Sequence, residues 1–217
     1  ETGNNPETSR RFAGIEIPSE LKWSHFFNLY LASFCAACLV AVPSVLQPAF
    51  LKEVIKIPAQ QAGAINSGLQ NMSQVAWILF VWMIGIWSDK IGRRILVVIG
   101  FFICGVSFIV FGYTKDISLS AGITTVGGQV FIAYIIRFLI GLGIIFAFPQ
   151  TNTMIADYAP PRDRGKAMAY HGITMSLGSV AVYGVMAQMM KSTGILSIFL
   201  ISGAIGFIGI AVIFLGT

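Results

Sequence analysis

The chain alternates long apolar runs with short polar breaks. The runs fall at about residues 24–50, 61–87, 94–113, 129–157, 167–190 and 195–215. Each approaches or exceeds the ~20 apolar residues that cross a bilayer as a helix. No Asp, Glu, Lys or Arg interrupts residues 57–88 or 95–114. Backbone polar groups in hydrocarbon need partners inside their own segment, and a helix supplies them. The pattern predicts an all-α membrane protein with six transmembrane helices. Residues 1–22 are polar and mixed in charge. They read as a cytoplasmic N-terminal tail, flexible and then interfacial, without the apolar core of a signal peptide. A transmembrane domain follows over 23–217, with Trp23, His25 and Phe26 where aromatic residues anchor to headgroups.

Within the runs, polarity is uneven. Asn66, Ser67, Gln70, Asn71, Ser73 and Gln74 crowd the first half of the second helix. Such a stripe faces a bundle or water and not lipid, as a solvated cavity or as interhelical hydrogen bonding. Pro43 and Pro48 lie near the far end of the first helix, where they predict either a kink or fraying. Residues 115–128 read as a Ser/Thr/Gly-rich loop.

Composition agrees with the pattern. The chain is 56% hydrophobic and 11% charged, against about 25% charged in soluble domains. Its +5 net charge would suggest nucleic acid only if the bases shared one face. They sit at helix ends instead, so no nucleic-acid partner is expected. Arg10, Arg11, Lys22, Lys90, Arg93, Arg94, Arg162, Arg164 and Lys166 fall on one side of the membrane. Lys52, Lys56, Lys115 and Lys191 fall on the other. The positive-inside rule then puts both termini in the cytoplasm. Cys35, Cys38 and Cys104 lie in apolar runs and read as packing residues, because a reactive thiol needs an electropositive, partly exposed setting.

The break between the second and third helices reads Gly85-Ile-Trp-Ser-Asp89-Lys90-Ile-Gly92-Arg93-Arg94. It resembles the signature loop of the major facilitator superfamily, G-x-x-x-D-[RK]-x-G-[RK]-[RK], at every fixed position. A second resemblance lies at Arg137-Phe-Leu-Ile-Gly141-Leu-Gly143, similar to that family's fourth-helix motif R-x-x-x-G-x-G. A weaker echo of the loop follows Asp157, at Arg164-Gly165-Lys166. The resemblance implies half of a major-facilitator-type bundle, built of two three-helix repeats. It also implies that Gly85, Asp89, Gly92, Arg93 and Arg94 form a conformational latch. Asp157 would serve as the acidic partner of Arg93, Arg94 or Arg164.

Arg137 is the one charge deep in an apolar run, about 20 residues and hence roughly 30 Å before Asp157. Buried arginine is costly and signals function by default. The first helix has no carboxylate to pair with it, so three roles stay open. It binds an anionic substrate, modulates a proton carrier elsewhere, or donates hydrogen bonds structurally. His171 titrates near neutrality and reads as a proton relay or a hydrogen-bonded core residue. Tyr30, Asn71, Gln74 and Gln150 complete the candidate substrate-binding set with Arg137 and His171.

No metal-ligand spacing, phosphate-cradling loop or nucleophile–base pair appears, so neither an enzyme nor a cofactor is expected. The resulting expectation is the N-terminal half of a secondary active transporter, a symporter or antiporter. It would move a small solute, an organic anion if Arg137 binds it, by alternating access. The alternative is a non-transporting scaffold or assembly module. The expected partners are the lipid bilayer of a plasma or inner membrane, the solute, and a second six-helix half. That half would be a C-terminal domain or a second copy in a homodimer.

Overall fold

The computed structural model describes residues 11–12, 14–18 and 21–216. Helix α1 runs over Trp23–Glu53, α2 over Ala59–Ile91, α3 over Arg93–Gly112, α4 over Thr114–Ser120 and α5 over Val126–Tyr158. Then come α6 over Arg164–Ala181, a π-helical turn over Val182–Met186, α7 over Ala187–Thr193 and α8 over Ile195–Gly216. Helix α6, the π-turn and α7 form one continuous span, so among the described residues six helices are long and apolar enough to cross a membrane. The all-α, six-helix expectation holds.

Two local outcomes differ from the sequence expectations or resolve them. Helix α1 continues through Pro43 and Pro48 instead of fraying there. Part of the expected 115–128 loop is the helix α4. Its Thr114 and Ser118 are buried, and their hydroxyls donate to Phe111 O at 2.7 Å and Thr114 O at 2.6 Å. Serine and threonine are poor helix formers in isolation, but burial gives their hydroxyls backbone acceptors within the turn. In the fifth span the π-turn interrupts the regular ladder, with Ala187 N–H donating to Val182 O.

The described part of the N-terminal segment is packed. Strands β1 (Arg11–Phe12) and β2 (Ile15–Glu16) form an antiparallel hairpin. Ile15 and Ile17 are buried in the core. A polar stretch carrying isolated Ile residues cannot announce this docking, because its acceptor surface is assembled from helices far along the chain. The calls on residues 1–10, 13, 19 and 20 lie outside the described residues.

Helix packing obeys a pseudo-two-fold exchange. Exchanging the first spanning helix with the fourth, the second with the fifth and the third with the sixth maps the packed pairs onto one another. Thus α3 packs on α5 as α8 packs on α1, and α2 packs on α5 as α6 packs on α1. The α3–α8 pair maps onto itself. This is the contact logic of two three-helix repeats. Small residues allow the tight crossings, as in membrane bundles generally. A Cβ at Gly206 of α8 would lie 2.8 Å from Gly105 Cα of α3. At the end away from the chain termini, Phe50, Phe111 and Phe199 cluster from α1, α3 and α8, with ring centroids 5.0–5.4 Å apart.

Candidate functional site

The fourth-helix motif positions its own arginine. Gly141 of α5 faces α2, where an added Cβ would sit 2.7 Å from Ser73 Cα. Gly143 faces α3, where a Cβ would sit 2.8 Å from Cys104 N. These glycines draw α2 and α3 against α5. Arg137 is one turn before Gly141, and Gln70 is one turn before Ser73, so the same approach brings these two side chains together.

Arg137 is only 4% exposed. Its Nε donates to Gln47 Oε1 at 3.0 Å, and one terminal nitrogen, Nη2, donates to Gln70 Oε1 at 2.8 Å. The other, Nη1, is buried without a hydrogen-bond partner. Gln47 Nε2 donates in turn to Asn66 O at 3.0 Å and Asn66 Oδ1 at 2.7 Å. Among the described residues no carboxylate pairs with Arg137. A guanidinium is always charged and offers five N–H donors. Neutral amides satisfy some of those donors and leave the charge uncompensated.

Arg137 lines a cavity of about 420 Å³ with Gln70, Ser73, Gln74 and Trp77 of α2, Val40 and Ser44 of α1, and Ile144 and Phe148 of α5. That volume lies within the range of small-molecule sites.

The predicted substrate residues do not all meet there. Arg137 and Gln74 do. Asn71 is exposed and does not line the cavity. Position 71 is turned about 100° from position 70 on a helix, whereas 66, 70, 74 and 77 share one face. Tyr30, Gln150 and His171 lie nearer the terminal end of the bundle. The Tyr30 hydroxyl donates to Ala167 O at 3.2 Å, and Gln150 Oε1 accepts from Ser88 Oγ at 3.0 Å. His171 is buried, with Nδ1 unpartnered. Gln150 is 13 residues from Arg137, or roughly 20 Å of helix. Gln47, Asn66 and Gln70 belong to the Arg137 hydrogen-bond network, and the predicted set omits them. The signal was present as i, i+4 spacing of Asn66, Gln70 and Gln74. Gln47 carried none, because its contacts come from other helices.

At the terminal end, Gly92 joins α2 to α3 with φ +96°, a conformation that L side chains rarely adopt. Arg93 forms an ion pair with Asp157 at the end of α5. Arg94 Nη2 donates to Ile213 O at 3.1 Å and Phe214 O at 2.9 Å, capping the last turn of α8. Arg164 Nε bonds Ala156 O at 2.9 Å, so Arg93 holds Asp157 here. Asp89 is exposed and forms no ion pair among the described residues. A Cβ at Gly85 would meet nothing within 4 Å. Nearby, Asp163 Oδ1 accepts from Lys166 Nζ at 2.8 Å and its Oδ2 from Glu16 N at 2.9 Å. The Lys166 hydrogen bond, followed by the Glu16 backbone N–H, holds the Asp163 carboxyl below its ordinary range.

The Major Facilitator Superfamily matches residues 29–217. The chain belongs to this family. It is therefore an integral multi-pass membrane protein of a transporter family and not an enzyme. A structural likeness supports the fold. The xylose transporter XylE from E. coli, in an inward-open conformation, superposes with a TM-score of 0.61 at 19% identity. The match covers 88% of this chain and 46% of that one. Among relatives, the magnetosome protein MamH of Paramagnetospirillum magneticum is 26% identical over 88% of this chain and 43% of its own length. Multidrug resistance protein 1 of Bacillus subtilis is 31% identical over 46% of this chain and 23% of its own length. The chain thus spans less than half the length of these family members, and its six helices correspond to one half of the superfamily bundle.

Proposed function

We propose that this chain is the N-terminal half of a secondary active transporter that moves a small organic anion by alternating access, with both termini in the cytoplasm. One observation carries the reading. A buried arginine, held only by neutral amides and with one nitrogen unpartnered, lines a cavity of about 420 Å³. A charge buried without a counter-ion is expensive, and an anionic solute would relieve that cost while bound. The second six-helix half, as a C-terminal domain or a second copy, would close the open side. The paired bases and acids of the signature loop would then act as the latch between access states.

A second reading has its own support. Three of the relatives are magnetosome proteins, which is compatible with an assembly module that does not carry solute. Native mass spectrometry of the chain released from nanodiscs separates the two. Retained small-anion adducts, on a dimer above all, are expected for the transporter half. A chain that retains no anion and associates only with other membrane proteins would establish the assembly role instead.

A further inference from the structure

We infer that Gln47 and Gln70 set the charge preference of the Arg137 cavity, acting as specificity residues through their neutrality. The inference rests on the anion-binding reading above and adds to it which side chains keep the site positive.

The orientation of Gln47 is fixed by its surroundings. Its amide nitrogen has two acceptors on Asn66, one of them a backbone carbonyl at 3.0 Å. A flipped amide would aim its nitrogen at Arg137 Nε and set donor against donor. The Gln47 carbonyl oxygen therefore must face the guanidinium. Gln70 is fixed by the same logic, because Arg137 Nη2 can only donate. Two carbonyl dipoles thus orient the guanidinium plane and leave Nη1 without a partner. A carboxylate at either position would orient it as well, but would cancel its charge. The helix that supplies Gln70 brings no acid to the site, and neither do α1 and α5. On α3 the titratable residue is Cys104, whose protonated thiol donates to Ile140 O at 3.7 Å and carries no charge. Cavity charge therefore depends on the choice of amide over acid at positions 47 and 70.

Gln70 is the cleaner position to test, because among the described residues no second hydrogen bond depends on its amide nitrogen. Gln70→Glu is nearly isosteric and places a carboxylate where Oε1 now sits, 2.8 Å from Nη2. The experiment titrates the chain in phosphatidylcholine nanodiscs with benzoate, inorganic phosphate and the cation tetraphenylphosphonium. Anion binding is read through the Arg137 Nε–Hε NMR signal. The wild-type chain is expected to bind at least one anion and not the cation. Gln70→Glu is expected to weaken anion binding about 10- to 100-fold at neutral pH, the range for losing a charge-assisted contact. Binding should recover at acidic pH as the introduced carboxyl protonates, a pH response absent from wild type. Gln70→Met, which removes the acceptor without adding charge, is expected to weaken anion binding less than Gln70→Glu and to show no recovery at acidic pH. The acid recovery of Gln70→Glu is itself the folding control. Anion binding by Gln70→Glu equal to wild type at neutral pH would overturn the inference while leaving the anion site standing. A wild-type chain that binds the cation and neither anion would overturn both.

Discussion

Two groups of arginines in this molecule are handled in opposite ways. At the terminal end, Arg93 has the carboxylate of Asp157. Arg94 has the carbonyls of Ile213 and Phe214, where the helix dipole is negative. Each positive charge there meets negative charge. Arg137, in the far half, has two neutral amides and an unpartnered nitrogen. Paired charges near water are inexpensive and exchange partners readily, which suits a latch. A buried charge without a counter-ion is costly, and a ligand that relieves the cost gains affinity by doing so. The difference teaches that the residue type alone does not assign a role; the partner set does.

The largest test removes the unpaired charge. Arg137→Ala should weaken anion binding by about two orders of magnitude, the upper range for a charged hydrogen bond. The helical fold should survive, because Gln47 keeps Asn66 as a partner. Titration calorimetry with benzoate in nanodiscs measures this, with circular dichroism as the folding check. Unchanged affinity would erase the contrast between the two groups. Next comes Gly92→Ala. At φ +96° the substitution should cost about 1–3 kcal/mol, seen as a lower melting temperature in detergent. Gly85→Ala has open space around its Cβ and should leave melting unchanged in this chain. An equal loss at both positions would show that the loop is constrained by something other than the turn at Gly92.

Much of the fold was legible because apolar length and charge spacing are local properties. The six spans and the turn at Gly92 follow from them. Arg137 was conspicuous because it breaks an apolar run. Its partners were not, because Gln70 reaches it only when Gly141 draws α2 against α5, and Gln47 only when α1 packs on α5. The choice of Asn71 over Gln70 shows the limit of i, i+3 and i, i+4 reasoning. Both residues pair with Gln74 on a helical wheel, and only tertiary packing says which side faces Arg137. The pairing of Arg11–Phe12 with Ile15–Glu16 was illegible for the same reason. Its Ile15 and Ile17 dock on surfaces built by residues far along the chain.

A smaller effect is expected at the paired end. Asp157→Asn should destabilise the chain by no more than about 1 kcal/mol, since both partners are partly exposed and screened. The more informative variant is the exchange, Arg93→Asp with Asp157→Arg. Melting in low salt should fall for each single change and recover in the double. Failure of the double to recover would mean that Arg93 acts through some contact other than Asp157.

The smallest effect concerns Asp163, which ties the hairpin to the turn before α6. Its carboxyl is held below the ordinary range by Lys166 and by the Glu16 N–H. A depressed carboxyl pKa stabilises the docked form above the ordinary carboxylate value, about 4. That contribution fades as pH falls through the lowered value. At neutral pH the tie is fully present. Asp163→Asn retains an acceptor but loses the charge that holds Lys166, so the hairpin should open more often. Hydrogen exchange at the Glu16 amide should then be faster in the variant than in wild type at neutral pH. The ratio should approach one as wild type is acidified through its own titration, with both proteins compared at each pH. A ratio of one already at neutral pH would show that Ile15 and Ile17 hold the hairpin by burial alone. The terminal end would then owe its order to packing at this point and to charge only at Arg93 and Arg94.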